Sequence, residues 1–316
     1  MTDPQTLRIG TRGSPLALAQ ARETQSLIDA AHGAPTPLGP TEIIEIKTTG
    51  DLVLDKPLAD IGGKGLFSKE IDRALLDRRI DLAVHSMKDL ETWMPDGIVI
   101  AAVLEREDPR DAFVSNTHSG FADLPEGGIV GTASVRRQAQ ILHRWPALSC
   151  VVFRGNVQTR LAKLADGQAD ATILACAGLN RLGRTDVIRA VIEPDEMLPA
   201  VAQGAVAITC RADDDTVLEM LDALNHRPSA VRVTAERAML EALDGSCRTP
   251  IGGLAELSDD GTEMTLTGLV ARGDGSAVHR LQRQGPAADA YSLGKDLGEE
   301  LKVLAGPGFL DDPGPG

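Results

Sequence analysis

Arginines follow short apolar runs at several points of the sequence, each time just before a predicted helix. The three clearest cases lie in residues 7–14, 129–137 and 151–160. A helix N-terminus attracts anions because its first backbone N–H groups are free, and a guanidinium group holds a carboxylate or phosphate with two hydrogen bonds. The pattern predicts a ligand with several negative charges, although any single arginine could equally be a solvated side chain. The six candidates are Arg12, Arg136, Arg137, Arg154, Arg160 and Arg181.

Lys88 and Asp89 follow another apolar run, residues 81–85, at the end of a predicted strand. Proteins of the α/β class place their active sites at the carboxyl ends of such strands. A carboxylate beside an ammonium group stays ionised, so Asp89 could stabilise a cationic intermediate or relay a proton. The motif is equally typical of a Lys-Asp turn on the surface, and both interpretations stay open.

Cys247 lies in a loop between Gly245 and Gly252, next to Arg248. A partly exposed thiol beside positive charge can have a lowered pKa and act as a nucleophile or as an attachment point. Most single cysteines are inert, so that alternative also stays open. The remaining cysteines have apolar or small neighbours and are predicted to be structural: Cys150, Cys176 and Cys210. Without a CxxC pair or a histidine at metal spacing, we expect free thiols, no metal site and a reducing compartment.

The composition restricts the class of ligand and partner. The 316 residues are 42% hydrophobic and 25% charged, with a net charge of −14. Nucleic-acid binding needs a basic footprint, which this balance does not supply. An anionic ligand must therefore be held by local positive charge in a cleft. No apolar run approaches the ~18 residues that span a membrane, and the N-terminus shows no signal segment, so we expect a soluble cytoplasmic protein.

Alternating strand and helix patterns predict an α/β fold with two lobes built on mostly parallel sheets, followed by a smaller C-terminal α+β domain. The predicted first lobe comprises residues 1–104 with 204–222, the second lobe 110–198 and the third domain 227–316. Residues 48–65 form a long connection, which is typical of a lid or a binding loop. The candidate loop residues are Lys64 in this connection and Phe67 just after it. The glycines of the connection lack the Ser or Thr of a phosphate-binding P-loop.

Short stretches across the whole sequence match, in order, the motifs of one known family. They are residues 11–18, 62–67, 84–89, 106–111, 131–138, 154–160, 177–183, 198–206 and 247–252. On these stretches the chain resembles the porphobilinogen deaminases, also called hydroxymethylbilane synthases. Any one stretch is weak, but their shared order over nearly the entire chain is highly specific.

The resemblance implies a transferase that joins four porphobilinogen units head to tail, releasing ammonia, to give the linear tetrapyrrole hydroxymethylbilane. It implies a dipyrromethane cofactor that is bound to Cys247 by a thioether, primes the chain and is retained. Asp89 would stabilise the cationic pyrrole species formed as ammonia departs and would shuttle protons.

For the other candidates, the resemblance implies that the six arginines hold acetate and propionate groups. Ser14 and Lys88 would contact cofactor or substrate. It also implies two lobes like those of periplasmic binding proteins, a third domain that carries the cofactor, and a monomer.

The sequence departs from the family pattern at a few positions. Leu90-Glu91 follows Asp89 where the family usually has Val-Pro, so the conformation of this loop is open. Gly13 replaces a longer polar residue. Ser246 stands where glycine is frequent before the cysteine, and serine adopts a positive φ less readily, so the cysteine loop could be held differently.

Two alternatives to an enzyme use the same arginine turns. A non-catalytic two-lobed protein that binds polyanions would normally be exported and would leave Cys247 unexplained. A regulatory ligand-sensing domain would be expected to have a DNA-binding segment or a basic patch, and the sequence shows neither.

Overall fold

The computed structural model describes residues 6–52, 65, 67–246 and 249–310. The described chain clusters into two compact units. Unit 1 contains the described residues of 6–106 and 205–230, and unit 2 contains those of 107–204 and 231–310. The chain therefore leaves unit 1 after Arg106 and returns to it at Ala205.

Thirteen strands and nine α-helices make up the regular structure of the described residues. The strands are β1 (Leu7–Thr11), β2 (Thr41–Glu45), β3 (Leu82–Ser86), β4 (Ile98–Val103), β5 (Asp111–Val114), β6 (Ile129–Gly131), β7 (Ser149–Val151), β8 (Ala171–Ala175), β9 (Ala190–Ile192), β10 (Val206–Arg211), β11 (Ile251–Leu257), β12 (Glu263–Ala271) and β13 (Val278–Pro286). The helices are α1 (Pro15–His32), α2 (Thr49–Leu52), α3 (Lys69–Leu76), α4 (Val135–Arg144), α5 (Val157–Ala165), α6 (Cys176–Arg181), α7 (Asp215–Asp222), α8 (Arg227–Ala242) and α9 (Ala290–Ala305).

Unit 1 is built on a five-stranded sheet in the order β2-β1-β3-β10-β4. Strand β1 pairs in parallel with β2 and β3, whereas β10 runs antiparallel to both β3 and β4. Four strands thus share one direction and β10 alone is reversed. The core between this sheet and helices α1 and α7 is aliphatic, with Leu7, Ile9, Ile28 and Ile208 buried.

The first sheet of unit 2 has an equivalent order, β7-β6-β8-β5-β9. Strand β6 pairs in parallel with β7 and β8, and β5 is the reversed strand between β8 and β9. In both sheets the strand order and the place of the reversed strand are the same. The carboxyl ends of β1 and β3, and those of β6 and β8, are the edges where ligands of such sheets bind.

The last third of the chain forms an antiparallel sheet in the order β11-β12-β13, which is covered by α8 and α9. Helix α9 approaches α8 closely because two glycines face it. A Cβ on Gly294 would lie 2.0 Å from the backbone oxygen of Ala235, and one on Gly298 would lie 2.6 Å from that of Met239. Only glycine permits this spacing between the two helices.

The predicted fold class, two α/β lobes with mostly parallel sheets and a smaller C-terminal α+β domain, is confirmed. The predicted boundaries at residues 104, 110, 198, 204, 222 and 227 stay predictions. In the described chain the second lobe and the C-terminal sheet belong to one compact unit.

No helix in the described ranges is both long and apolar enough to cross a membrane.

Candidate active site

The turns after β1 and β3 bring Arg12 and Asp89 together in unit 1. The two strands are adjacent and parallel, so the residues that follow them lie at the same edge of the sheet. Asp89 ends the short 3-10 turn Met87–Asp89, which also carries the half-buried Lys88. The Nη1 atom of Arg12 lies 3.9 Å from Oδ2 of Asp89. Sequence reasoning found both residues, and the structure adds that they form an ion pair.

Ser14 is the N-cap of helix α1. Its Oγ accepts a hydrogen bond from the Ala17 N–H at 3.3 Å, and Pro15 occupies the first helical position. Serine as the N-cap and proline directly after it are the residues that favour a helix start. The cap fixes the turn between β1 and α1, and thereby the place of Arg12.

A small cavity of about 70 Å³ opens beside this ion pair. Its polar and aromatic lining includes Arg12, Ser14, Phe67, His85, Ser86 and Asp89. The guanidinium carbon of Arg12 lies 4.1 Å from the centre of the Phe67 ring, a cation–π contact. Among the described residues that line the cavity, Asp89 is the only carboxylate. The site thus combines one acid, one guanidinium group and one aromatic ring.

His85 and Ser86 also line this cavity, and sequence reasoning did not select them. His85 is buried, with Nε2 3.0 Å from Oγ1 of Thr209. Burial, together with a smaller effect of the positive charge of Arg12, lowers the pKa of His85 to about 4. At neutral pH the imidazole is therefore uncharged. Ser86 donates a hydrogen bond to Oε1 of Gln20 at 3.0 Å. The signal for both was that His85 and Ser86 are polar residues at the end of a buried strand, just before Met87-Lys88-Asp89.

In unit 2, Arg136 and Arg137 at the start of α4 hold one buried aspartate. Their Nη2 atoms lie 2.7 Å from the two carboxylate oxygens of Asp111. Burial raises the pKa of Asp111, but the two guanidinium groups outweigh burial and hold this pKa well below its ordinary value. Two cations and one anion leave a net positive charge inside the unit. Sequence reasoning missed Asp111, although an acid at the start of an apolar strand was a usable signal.

The remaining donors of this arginine pair face mainly the protein itself. Nη1 of Arg136 donates to the Leu198 oxygen at 2.6 Å, and Nη1 of Arg137 donates to the Ile173 oxygen at 2.8 Å. Gln203 adds a hydrogen bond from Nε2 to Oδ1 of Asp111 at 2.8 Å. Arg136 and Arg137 are therefore buried side chains that are fixed by hydrogen bonds within the protein.

Four buried arginine nitrogens in the described chain have no hydrogen-bond acceptor. They are Nε of Arg136, Nε of Arg137 and Nη1 of Arg154 in unit 2, and Nε of Arg211 in unit 1. A buried donor without an acceptor costs roughly 1–3 kcal/mol, and more when it is charged. Carboxylate oxygens of a bound group are acceptors of the right kind. The residues present therefore fit a group that carries several carboxylates, as a dipyrromethane does.

The other predicted arginines make contacts with backbone carbonyls. Nε of Arg160 donates to the oxygen of Gly155 at 3.0 Å, and Nη1 of Arg181 donates to the oxygen of Gly204 at 3.0 Å. Arg12 belongs to unit 1, whereas the other five candidate arginines belong to unit 2. Two predicted site residues, Lys64 and Cys247, lie outside the described residues.

Ser246 and Thr249, the described residues on either side of Cys247, are hydrogen-bonded to each other. Oγ1 of Thr249 accepts from the Ser246 N–H at 2.9 Å and donates to the Ser246 oxygen at 2.7 Å. The positive φ in this region falls on Asp244, at 52°, and Ser246 does not have one. Ser246 in place of glycine therefore introduces no backbone strain.

The described cysteines behave as structural residues. Cys150, Cys176 and Cys210 are free. Burial raises the pKa of Cys150 and of Cys176 to about 12, and that of Cys210 to about 11, so these thiols stay protonated. In the described ranges, no group of three or more His, Cys, Asp and Glu side chains could hold a metal ion.

Comparisons with known proteins cover nearly the whole chain. The family model "Porphobilinogen deaminase, dipyromethane cofactor binding domain" matches residues 7–219, and "Porphobilinogen deaminase, C-terminal domain" matches residues 230–303. The chloroplastic porphobilinogen deaminase of Oryza sativa is 55% identical, with 96% of this chain and 86% of that protein aligned. The porphobilinogen deaminase of Paracoccus denitrificans is 56% identical, with 98% of each chain aligned.

Solved structures align less closely. The periplasmic VFT2 domain of Bordetella pertussis BvgS covers 71% of this chain and 88% of its own at 14% identity, with a TM-score of 0.42. That likeness is too weak to support an argument. The family models and the close relatives decide the matter, and they agree with the site geometry: this chain belongs to the porphobilinogen deaminase family.

Proposed function

We propose that this protein joins four porphobilinogen units head to tail into hydroxymethylbilane, with release of ammonia, and that Asp89 is its catalytic residue. The single observation that carries the proposal is the position of Asp89. Within the described chain it is the one carboxylate on the cavity of unit 1, and it pairs with Arg12 at the ends of two parallel strands. Family membership supplies the reaction, and this geometry supplies the group that would perform it.

Asp89 suits a reaction that passes through a cation. When the aminomethyl C–N bond of porphobilinogen breaks, the electron pair leaves with nitrogen, and the amino group, which has taken up one proton, departs as ammonia. The pyrrole left behind is positively charged, and a nearby carboxylate stabilises it electrostatically. A new C–C bond then forms, and the ring hydrogen of the acceptor pyrrole leaves as a proton. Asp89 is 34% exposed, so it can reach the substrate and can accept that proton.

A dipyrromethane cofactor on Cys247 would supply the pyrrole carbon to which the first porphobilinogen is joined. The loop around Cys247 is tied by Thr249, which makes three hydrogen bonds to Ser246. A covalent anchor keeps intermediates from diffusing away between steps.

The arginines would neutralise the carboxylates of the bound chain. Each porphobilinogen adds an acetate and a propionate, so the negative charge grows at every step. Arg154 has a buried Nη1 without an acceptor and is the strongest candidate for a direct contact. Arg136 and Arg137 would act through the net positive charge of their cluster with Asp111 and through their free Nε atoms. Further candidates for these contacts are Arg12, Ser14, Lys88, Arg160 and Arg181, with Lys64 and Phe67 as loop residues.

We also propose the finer points of organisation. The three-domain division at residues 1–104 with 204–222, 110–198 and 227–316 fits the three sheets. A cytoplasmic monomer without a nucleic-acid partner fits the net charge of −14 and the free thiols. Relatives in rice and pea are chloroplastic proteins, so the compartment is a point for direct measurement.

The function is tested by porphobilinogen turnover in the purified protein and in Asp89→Asn. We expect the wild type to release one ammonia for each porphobilinogen consumed. Asp89→Asn should lose about a hundredfold or more in kcat, because a positioned acid–base group contributes roughly 10²–10⁴-fold. The exposed Asp96, seven residues along, gives the matched control Asp96→Asn, which should keep wild-type rates. Full activity in Asp89→Asn would remove this residue from the mechanism.

A further inference from the structure

Glu91, two residues after Asp89, reaches from the catalytic turn to the segment that carries Phe67. The backbone N–H of Gly65 donates a hydrogen bond to Oε1 of Glu91 at 3.0 Å. We infer that Glu91 is a positioning residue, which holds Phe67 against Arg12 and so positions the guanidinium group that is proposed to bind substrate carboxylates. The inference rests on the proposed function, since it concerns the same site.

Both the backbone N–H and the carbonyl oxygen of Gly65 make hydrogen bonds. Its N–H binds Glu91, and its carbonyl oxygen accepts from the N–H groups of Ser68 at 3.1 Å and Lys69 at 3.0 Å, at the start of α3. Its φ is +72°, in the left-handed region that glycine tolerates. These hydrogen bonds hold Gly65, which lies two residues before Phe67.

The contacts around the cavity form a closed ring. The Phe67 ring stacks on the Arg12 guanidinium at 4.1 Å, and Arg12 lies 3.9 Å from Asp89. Asp89 is joined through Leu90 to Glu91, and the Leu90 N–H donates to the Met87 oxygen at 3.1 Å, which closes the turn. Glu91 then returns the ring to Gly65.

The weakest part of this ring is the ion pair itself. A distance of 3.9 Å between Arg12 and Asp89 is too long for a hydrogen bond, so the pair alone does not orient either side chain. Stacking on Phe67 adds a second contact that restrains the Arg12 guanidinium group. The hydrogen bond from Gly65 to Glu91 therefore helps to position, through Phe67, the guanidinium group that is proposed to bind substrate carboxylates.

This arrangement is a property of this chain at a position where its family usually has proline. Proline has no side-chain acceptor and could not hold the Gly65 N–H. A carboxylate makes a charge-assisted hydrogen bond, and a glutamine carbonyl would make a neutral one of the same geometry. Glu91→Gln should therefore keep the contact, whereas Glu91→Ala should remove it.

The contact is tested first by amide exchange of Gly65 in cofactor-loaded, substrate-free protein. NMR on protein labelled with isotopic glycine follows the Gly65 amide, which is assigned by its absence in Gly65→Ala. We expect exchange about tenfold faster in Glu91→Ala, which corresponds to a net hydrogen bond of ~1.4 kcal/mol. Glu91→Gln and the exposed control Glu105→Ala should stay within about threefold of wild type. Wild-type exchange in Glu91→Ala would overturn the inference.

The positioning role is tested by steady-state kinetics with porphobilinogen on the same variants. We expect Glu91→Ala to raise KM about tenfold with kcat changed less than about twofold, and Glu91→Gln to restore KM. Cofactor loading by intact mass should be unchanged and Tm should stay within about 2 °C, which separates positioning from a general loss of stability. Faster Gly65 exchange with unchanged KM would overturn the positioning role.

The two tests also separate this inference from the proposed function. An inactive wild-type protein would overturn the proposed function, and the positioning role with it. An active wild type with Glu91→Ala unchanged in both readouts would overturn the inference alone.

Discussion

Asp89 and Asp111 are two aspartates in opposite surroundings, and their surroundings assign their roles. Asp111 is fully buried and ion-paired with two arginines, which hold its pKa well below the ordinary value. It cannot exchange protons near neutral pH. Asp89 is 34% exposed and lies 3.9 Å from one guanidinium group. Asp111 is therefore structural, and Asp89 is available for chemistry.

Replacement of Asp111 by asparagine should destabilise unit 2 strongly. The change leaves two buried guanidinium groups without their counter-ion, and breaking such a cluster costs about 3–5 kcal/mol. Urea unfolding at pH 7 measures this loss. The exposed Asp166 in the same unit gives the control Asp166→Asn, which should change the free energy of unfolding by less than about 0.5 kcal/mol.

The pH dependence of Asp111→Asn follows from the sign of the shift. The folded-state pKa of Asp111 is depressed, so its contribution is present above the ordinary value of 3.8 and is lost as pH falls through the folded-state pKa. The difference between wild type and variant should therefore shrink below about pH 4. A difference that stays constant down to pH 2 would contradict the ion-paired state of Asp111.

His85 also makes the stability depend on pH, but as a buried base that is neutral in the folded protein. Its pKa falls from 6.5 in the unfolded chain to about 4 in the folded protein. The unfolded chain then binds more protons between these values, so stability rises with pH across this window. The shift corresponds to roughly 3 kcal/mol between pH 4 and 6.5.

We expect His85→Gln to lose most of this slope while the difference from wild type stays constant above pH 7. Free energies of unfolding at half-unit pH steps measure it. Equal slopes for wild type and His85→Gln between pH 4 and 6.5 would mean that the imidazole is already protonated in the folded protein.

At the scale of elements, the packing of α9 on α8 depends on glycine. A Cβ on Gly294 would lie 2.0 Å from a backbone oxygen of α8, which cannot move aside as a side-chain end can. Gly294→Ala should cost at least about 1–3 kcal/mol, the usual range for overpacking. Thermal unfolding measures it. Gly120, whose added Cβ would meet nothing within 4 Å, gives the control Gly120→Ala. Equal Tm values for the two variants would contradict the close contact.

Much of the local structure could be predicted because the sequence contains the helix-start signals. Ser14, Ser134 and Asn156 each accept a hydrogen bond from the backbone N–H three residues on, as N-caps do. The apolar runs before Ser14 and Ser134 are strands β1 and β6, whereas the run before Asn156 begins at Val151, the last residue of β7. These signals are local, so the arginine turns could be placed at the strand ends without any knowledge of tertiary structure.

The pairings between distant residues could not be predicted. Strands β5 and β10 are reversed within their sheets, yet a buried apolar strand has the same pattern in either direction. The ion pair of Asp111 and Arg136 joins residues that are 25 positions apart in the sequence. The hydrogen bond between Gly65 and Glu91 joins residues that are 26 positions apart. Such contacts depend on how the elements pack. For this reason the sequence suggested ligand-facing forks where the structure has a buried ion cluster.

At the scale of the whole molecule, an acidic protein is proposed to bind a growing polyanion. With a net charge of −14, long-range electrostatics would repel such a ligand, so the affinity must come from local positive charge. The buried cluster of Arg136, Arg137 and Asp111 has such a charge, and the unpaired Nη1 of Arg154 adds a donor. The ordered motifs were enough to recognise the family from sequence, and the family models confirm it.

The proposed reaction builds a pyrrole oligomer on a cofactor attached to Cys247. Intact mass spectrometry of the purified protein, before and after mixing with limiting porphobilinogen, tests this proposal. We expect the starting mass to exceed the sequence mass by one dipyrromethane unit and then to rise in steps of one pyrrole unit. Cys247→Ala should show the sequence mass and no steps, whereas Cys150→Ala should behave as wild type. An active protein at its unmodified sequence mass, with no stepwise adducts, would contradict the account.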